Sequence, residues 1–155
     1  MPAVDPDSFG FLVTDVTRLI RAEMDRRIGE AGLGLTPGEG RTLSHVARAG
    51  AVRQNVIAER MGIEAMTVSG TLDRLEARGL VERRPDPADR RAKLVELTGA
   101  GEAMLDGVRP ISAGLRADAS AGIDPAEWQR LLDMLKTVRA SLSAVREAAR
   151  KDSAA

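Results

Sequence analysis

The most constraining feature of this sequence is the segment Gln54–Gly101, where two short helical patterns precede two short strand patterns. Apolar residues recur at helical spacing over Gln54–Met61, and Gly62 follows them as a residue that readily adopts the left-handed conformation ending a helix. A second helical pattern extends from about Ala65 to Arg78 and is followed by Gly79. The segment therefore predicts two helices joined by a tight turn.

The second of these helices carries chemically different faces. Val68, Leu72 and Leu75 form an apolar stripe that predicts a buried side. The opposite side is small and polar, with residues suited to hydrogen bonding at Thr67, Ser69, Gly70, Thr71 and Arg74. Such a surface fits the major groove of DNA, where donors and acceptors must meet base edges and phosphates.

The strand patterns predict a hairpin with a charged tip. Leu80–Arg83 and Lys93–Leu97 have strand composition, and the prolines and aspartates of Arg84–Arg91 favour a turn between them. From Arg83 to Lys93 five basic residues face two acidic ones. The candidate contacts to the minor groove and its phosphates are Arg84, Asp89, Arg90, Arg91 and Lys93. Asp89 is expected to hold an arginine side chain in place by a charge-assisted hydrogen bond.

Two helices, a turn and a charged hairpin in this order make a helix-turn-helix followed by a wing. The segment resembles the multiple-antibiotic-resistance regulator (MarR) family of winged-helix transcription factors. Its wing fits that family's signature Asp-x-Arg-x5-Leu-Thr-x-x-Gly, with each spacing intact, at Asp89, Arg91, Leu97, Thr98 and Gly101. The family pattern is also matched upstream, at Ile57–Ile63, Thr67–Ser69 and Asp73–Val81.

The chain departs from the family pattern around the start of the second helix. Members often carry Ser or Asp before this helix and Pro near its start, where this chain has Glu64 and Met66. Many place Arg or Lys where this chain has Gly70, so the helix is expected to approach the groove floor more closely. Gln54, at the start of the first helix, either contacts a DNA phosphate or only caps its helix.

The composition fits a globular protein whose DNA-binding charge is local. Of 155 residues 43% are hydrophobic and 30% charged, and the formal net charge is zero, so a general nucleic-acid coat is not expected. With no Cys and one His, neither a thiol switch nor a metal site is predicted. No cofactor is expected, and the N-terminal residues lack a signal-peptide pattern, so a cytoplasmic location is expected.

Long apolar stripes outside the winged segment predict a dimer. Seven apolar residues recur at helical spacing over Phe9–Ile28, and another stripe follows a capping Asp124. Two copies that pack these helices together would bury both stripes, as the family resemblance also implies. The candidate interface residues are Leu12, Leu19, Trp128, Leu131, Leu135, Val138 and Leu142. Such a two-fold dimer is expected to bind a palindromic operator with half-sites roughly 34–36 Å apart.

The predicted architecture is mostly α with a small β wing. A single domain, 1–155, is expected to contain a winged helix-turn-helix lobe at 36–98 and dimerisation helices at 5–30 and 99–150. The lobe's first helix begins with the capping box Thr36-Pro37-Gly38-Glu39.

In that helix, His45 and Arg48 are the candidate residues of an effector pocket. The family resemblance implies small anionic aromatic effectors where the dimerisation helices meet the lobe. A packed or surface histidine without a ligand is the simpler interpretation of His45.

Two function classes are consistent with these patterns, and a third is not. The favoured one is a DNA-binding transcriptional regulator, a repressor released by a small molecule. The alternative is a winged-helix module that binds proteins without specific DNA binding. An enzyme is not predicted, because no nucleophile with a base, metal constellation or Gly-rich phosphate loop is present in the sequence.

Overall fold

The computed structural model of this protein describes residues 4–153 and is largely helical. Its helices are α1 (Phe9–Glu30), α2 (Pro37–Ala49), α3 (Gln54–Met61), α4 (Ala65–Ala77), α5 (Gly99–Ala119) and α6 (Pro125–Asp152). Its strands are β1 (Val52–Arg53), β2 (Val81–Asp86) and β3 (Asp89–Leu97). The predicted class, mostly α with a small β wing, is confirmed. Within the described range, none of the helices combines the length and the apolar character that crossing a membrane requires.

The chain divides into two compact units, one up to Leu115 and one from Arg116 onwards. The first unit contains the hydrophobic core, which the apolar faces of α2, α3 and α4 share with β2, β3 and α5. Its fully buried large side chains include Ile28, Leu43, Ile57, Leu72 and Leu75. The stripe Val68, Leu72 and Leu75 that the sequence assigned to the core is confirmed as buried.

Local sequence signals define the helix ends in this unit. Thr36 and Glu39 form the predicted capping box, in which Thr36 Oγ1 accepts from the Glu39 N–H at 3.2 Å. Gly62 and Gly79 follow α3 and α4 with φ values of 63° and 70°, which side chains other than glycine rarely adopt. The predicted bounds of α3 are confirmed, and α4 ends one residue earlier than predicted.

The hairpin differs from its prediction in the length of its strands and in pairing with a third strand. Its strands are longer than predicted, because β2 continues to Asp86 and β3 begins at Asp89. The turn therefore comprises only Pro87 and Ala88. Pro85 is tolerated because β2 is an edge strand in the sheet order β1-β3-β2, where a missing N–H breaks no central ladder. The two-residue β1 was not predicted and pairs Val52 with Val95.

The junction between the sheet and α5 explains the wing signature. The Thr98 hydroxyl donates to the Gly79 carbonyl at 2.6 Å and accepts from the Gly101 N–H at 3.1 Å. A Cβ atom on Gly101 would lie 2.0 Å from the Leu80 carbonyl oxygen, so no larger residue fits without movement of the backbone. Thr98 and Gly101 thus fix where α5 leaves the lobe.

The second unit is dominated by α6. Asp124 caps this helix, since its Oδ1 accepts from the Ala126 N–H at 2.8 Å, and Pro125 occupies the first helical position. None of the residues of α6 is fully buried. At about 1.5 Å per residue the helix is roughly 42 Å long. The assignment of residues 1–155 to a single domain stays a prediction.

Candidate nucleic-acid interface

Helix α4, the second helix of the helix-turn-helix and called the recognition helix below, presents only part of the predicted polar face. Thr67 is exposed, and Ser69 and Gly70 are half-buried; a Cβ atom on Gly70 would have Arg74 Nη1 as its nearest neighbour, at 3.9 Å. Thr71 was wrongly placed on this face, because it is 5% exposed and its hydroxyl donates to the Thr67 carbonyl at 3.0 Å. Helical geometry puts Thr71 beside the buried stripe, about 100° from Leu72 on the side of Val68.

Arg74 is exposed, but a buried carboxylate lies beneath it. Glu39 Oε1 is 3.5 Å from Arg74 Nε, and its Oε2 is 3.1 Å from Arg78 Nη1. The same Oε2 accepts from the Thr36 N–H at 3.0 Å. Glu39 therefore links the start of α2 to the recognition helix and orients both arginines.

Arg83 connects the wing, the hairpin of β2 and β3, to the recognition helix. Its Nη1 is 2.7 Å from Asp73 Oδ1 and 3.5 Å from Glu76 Oε2. Its Nη2 donates to the Ser69 carbonyl at 3.2 Å, and the side chain is only 13% exposed. Arg83 is engaged by these partners within the lobe and holds the wing in a fixed position beside α4.

A second ion pair fixes the tip of the wing. Arg53, the residue before α3, approaches Asp86 Oδ2 with Nη2 at 2.6 Å and Nε at 2.7 Å. The Ala88 N–H donates to Asp86 at 2.9 Å, and this bond together with the Arg53 guanidinium lowers the pKa of Asp86 below its ordinary value. Neither residue was among the predicted site residues, because 33 positions separate them.

Asp89 does not hold an arginine side chain in the predicted manner. Its Oδ1 accepts from the main-chain N–H of Arg91 at 3.1 Å, and its Oδ2 is 3.8 Å from Arg53 Nη2, beyond hydrogen-bonding distance. The expected role belongs to Asp86. Asp89 instead shapes the start of β3, since its hydrogen bond fixes the backbone that carries Arg90 and Arg91.

The exposed cations of the wing fall into two groups. Arg84 forms an ion pair with Glu96, in which Nε is 2.7 Å from Oε1. Arg90, Arg91 and Lys93 are exposed, and their side chains form no ion pair or hydrogen bond with any residue in the range 4–153. These three residues lie within the first five positions of β3. Gln54 is half-buried at the first position of α3, where it makes no side-chain hydrogen bond to the described residues and no cap.

A cationic cavity of about 280 Å³ lies between α1, α2 and α3. Its charged and polar lining includes Thr17, Arg21, Arg41, His45 and Arg60, and its apolar lining includes Ile20, Met24, Met61 and Ile63.

His45 Nδ1 is buried and has no hydrogen-bond partner among residues 4–153. Burial and the charges of Arg48, Arg60, Arg21 and Arg41 lower the pKa of His45, so the imidazole is neutral at pH 7. Arg48 is exposed and does not line the cavity, which corrects its predicted place there.

The charged and polar side chains of this cavity differ in whether they already have hydrogen-bond or ion-pair partners. Arg21 Nη2 donates to the Met61 carbonyl at 3.1 Å, and Arg41 forms an ion pair with Asp25. Arg60 makes no ion pair with the described residues. Arg60 and the unpartnered nitrogen of His45 are therefore the groups with free capacity for a bound molecule.

The predicted interface helices expose apolar side chains. On α1, Leu12 is 48% and Leu19 56% exposed. On α6, Leu131, Leu135 and Leu142 are exposed, while Trp128 and Val138 are half-buried. Within residues 4–153 no group of three His, Cys, Asp or Glu side chains is arranged to hold a metal ion.

A recognition helix packed on a helix-turn-helix core, with a basic hairpin fixed beside it, defines a winged helix-turn-helix protein. The sequence profile of the MarR family matches residues 33–92. The HTH-type transcriptional repressor NicR of Pseudomonas putida is 32% identical over 95 residues, which cover 61% of this chain and 60% of NicR. The chain thus spans about three fifths of that relative.

Solved structures agree over most of the chain. The crystal structure of the transcriptional regulator PA3341 is 34% identical, with a TM-score of 0.73 over 88% of this chain and 98% of that one. The structure of CouR from Rhodococcus jostii RHA1, bound to p-coumaroyl-CoA, is 28% identical, with a TM-score of 0.67 over 85% of this chain and 92% of that one. This protein belongs to the MarR family.

Proposed function

We propose that this protein is a sequence-specific double-stranded DNA-binding transcriptional regulator, a repressor, with α4 in the major groove and the wing along the adjacent minor groove. The observation that carries the proposal is the group Arg90, Arg91 and Lys93, three exposed cations without a carboxylate partner in the described chain. Two other arginines of the same hairpin, Arg83 and Arg84, are neutralised locally by ion pairs. Free positive charge on a fixed hairpin suits DNA phosphates.

The chain's zero net charge favours this localised mode of binding. A neutral protein gains little from long-range attraction to DNA, so its affinity must come from the few cations that remain unpaired. Thr67, Ser69 and Arg74 on α4, and Gln54 at the start of α3, supply donors that can reach bases or phosphates. Wing contacts then position the protein, and recognition-helix contacts select the sequence.

We also propose that the active species is a homodimer that binds a palindromic operator. The apolar residues of α1 and α6 lie uncovered in the single chain, with Leu19 and Leu142 each 56% exposed. Their burial against a second copy would remove this apolar surface from water. Two recognition helices related by a two-fold axis then read half-sites roughly 34–36 Å apart.

The cavity beside His45 supports control by a small organic anion. Arg60 and His45 have free capacity there, and no carboxylate of the described residues lines the cavity. The p-coumaroyl-CoA of the CouR structure supports an organic ligand for this chain as well. A ligand that prefers the DNA-incompetent dimer about 100-fold would weaken DNA binding by up to roughly 2.7 kcal/mol per coupled site.

The wing assignment is tested with a double variant, Arg90→Ala/Arg91→Ala. Fluorescence anisotropy against a random-sequence duplex, repeated at several salt concentrations, gives affinity and its salt dependence. We expect the double variant to bind every duplex more weakly, with a log–log salt slope reduced by about 0.9 for each phosphate that the variant no longer neutralises. A charge-matched control, Arg109→Ala/Lys136→Ala, removes two cations already paired with neighbouring aspartates and should leave the slope unchanged.

Two outcomes of this experiment would contradict the proposal. One is unchanged affinity and slope in the Arg90/Arg91 variant, since the wing would then not touch phosphates. The other is an equal loss in the control variant, because general charge rather than the wing would be responsible. A protein that binds no duplex would support the alternative of a protein-interaction module.

A further inference from the structure

One large apolar side chain of the winged lobe is exposed on the recognition helix. Met66 is 87% exposed, more than any other large hydrophobic residue of the described chain. The remaining exposed large hydrophobic residues lie outside residues 36–98, mostly on α1 and α6. Met66 therefore belongs neither to the core nor to the apolar surfaces assigned to dimerisation.

The position of Met66 on α4 directs it toward the outside of the lobe. Successive residues of a helix are about 100° apart, which places Met66 nearly opposite the middle of the buried stripe of Val68, Leu72 and Leu75. Gly70 lies one turn further along the same outer side. Because Gly70 has no side chain, position 70 presents no bulk that would keep the Met66 thioether away from an approaching surface.

The major groove offers one kind of apolar group to such a side chain. Among the base edges exposed there, only thymine carries a methyl group, at C5, and apolar side chains contact it. A methionine is flexible and polarisable, so it adapts to a methyl group with little steric demand. Residues in the N-terminal part of a recognition helix are those that reach base edges, and Met66 is the second residue of α4.

We propose that Met66 determines specificity by contacting the 5-methyl group of one thymine in each half-site. This inference rests on the proposed DNA-binding function. It makes a definite statement about the operator, in which a thymine lies opposite the first turn of α4. Removing one such methyl group corresponds to about a four-fold decrease in affinity per half-site, the value expected for one buried carbon group.

The test starts from a duplex selected by the wild-type protein from a random-sequence pool. Each thymine of that duplex is then replaced in turn, in both half-sites, by deoxyuridine, which removes the methyl group and leaves base pairing unchanged. We expect one symmetry-related pair of thymines whose replacement weakens wild-type binding about 16-fold, four-fold for each half-site. Met66→Ala should weaken binding to the unmodified duplex similarly and show no further decrease with the deoxyuridine duplex.

Controls separate this contact from other effects. The Arg109→Ala/Lys136→Ala variant changes exposed charged side chains of α5 and α6 and should retain the full deoxyuridine effect. Because Met66 is almost fully exposed, its substitution should leave the unfolding temperature unchanged. A deoxyuridine effect of equal size in wild type and Met66→Ala would overturn the inference while leaving DNA binding intact. Failure to select any duplex would overturn the proposed function together with the inference.

Discussion

Replacing Gly101 with alanine should severely destabilise the fold, since the junction of sheet and α5 has no room for a methyl group. The new Cβ would lie 2.0 Å from the Leu80 carbonyl oxygen and 3.3 Å from Leu97 Cδ2. A carbon normally stays about 3.3 Å or more from a carbonyl oxygen, so the backbone would have to move by about 1.3 Å. The obstacle is main chain, which cannot rotate away as a side chain can.

The magnitude follows from what that movement disturbs. Overpacking a close contact costs about 1–3 kcal/mol. The Leu80 carbonyl also accepts from the Thr98 N–H at 3.2 Å, and breaking this hydrogen bond would cost about 1 kcal/mol more. We therefore expect the free energy of unfolding to fall by about 3 kcal/mol, which lowers the unfolding temperature by roughly 6–12 °C in a chain of this size.

Gly99→Ala provides a matched control in the same turn of α5. A Cβ on Gly99 would have no heavy atom within 4 Å, so alanine there should be neutral or stabilise by up to about 1 kcal/mol. Guanidinium unfolding of both variants at one fixed protein concentration gives the two free energies, because dimer stability depends on concentration. Equal stability of the Gly101→Ala variant and the wild type would refute the steric explanation of the wing signature.

Three further predictions concern the wing, the dimer and the cavity. Asp86→Asn should weaken binding to all duplexes, because the wing tip loses its ion pair with Arg53. The pKa of Asp86 is depressed in the fold, so the stability that its carboxylate contributes is present above its ordinary pKa and is lost as pH falls through the depressed pKa. Thermal melts of the variant at pH 2–5 should lack this acid-sensitive step. Leu135→Glu should convert a dimer to monomers in sedimentation, with Thr137→Glu as a control off the apolar stripe. Wild-type stability should decline as pH falls below the ordinary His45 pKa of 6.5, because only the unfolded state takes up the proton there. His45→Gln should make the unfolding temperature less dependent on pH between 5 and 7.

Local signals made most of the fold predictable from the sequence. Gly62 and Gly79 set the ends of α3 and α4, because each adopts a positive φ that a side chain would disfavour. Thr36 and Glu39 indicated the start of α2 through spacing alone. The two proline and aspartate pairs of the hairpin were less informative, since an edge strand accepts Pro85 and the predicted turn was too long.

The features that escaped prediction depend on contacts between distant residues. Glu39 and Arg78 are separated by 39 positions, and Arg53 and Asp86 by 33, so no local pattern joins them. Strand β1 has two residues and exists only because β3 lies beside it. Thr71 is different, because the helical period alone places it beside the buried stripe of Val68, Leu72 and Leu75.

The most direct test of the central claim is the affinity of the wild-type protein for its selected duplex and for a shuffled duplex of equal length, titrated across salt concentrations. We expect at least 10³-fold tighter binding to the selected duplex at physiological salt and a steep decrease in affinity for both duplexes as salt rises. Equal affinity for the two duplexes, or affinity that does not change with salt, would contradict a sequence-specific regulator that holds DNA through its wing.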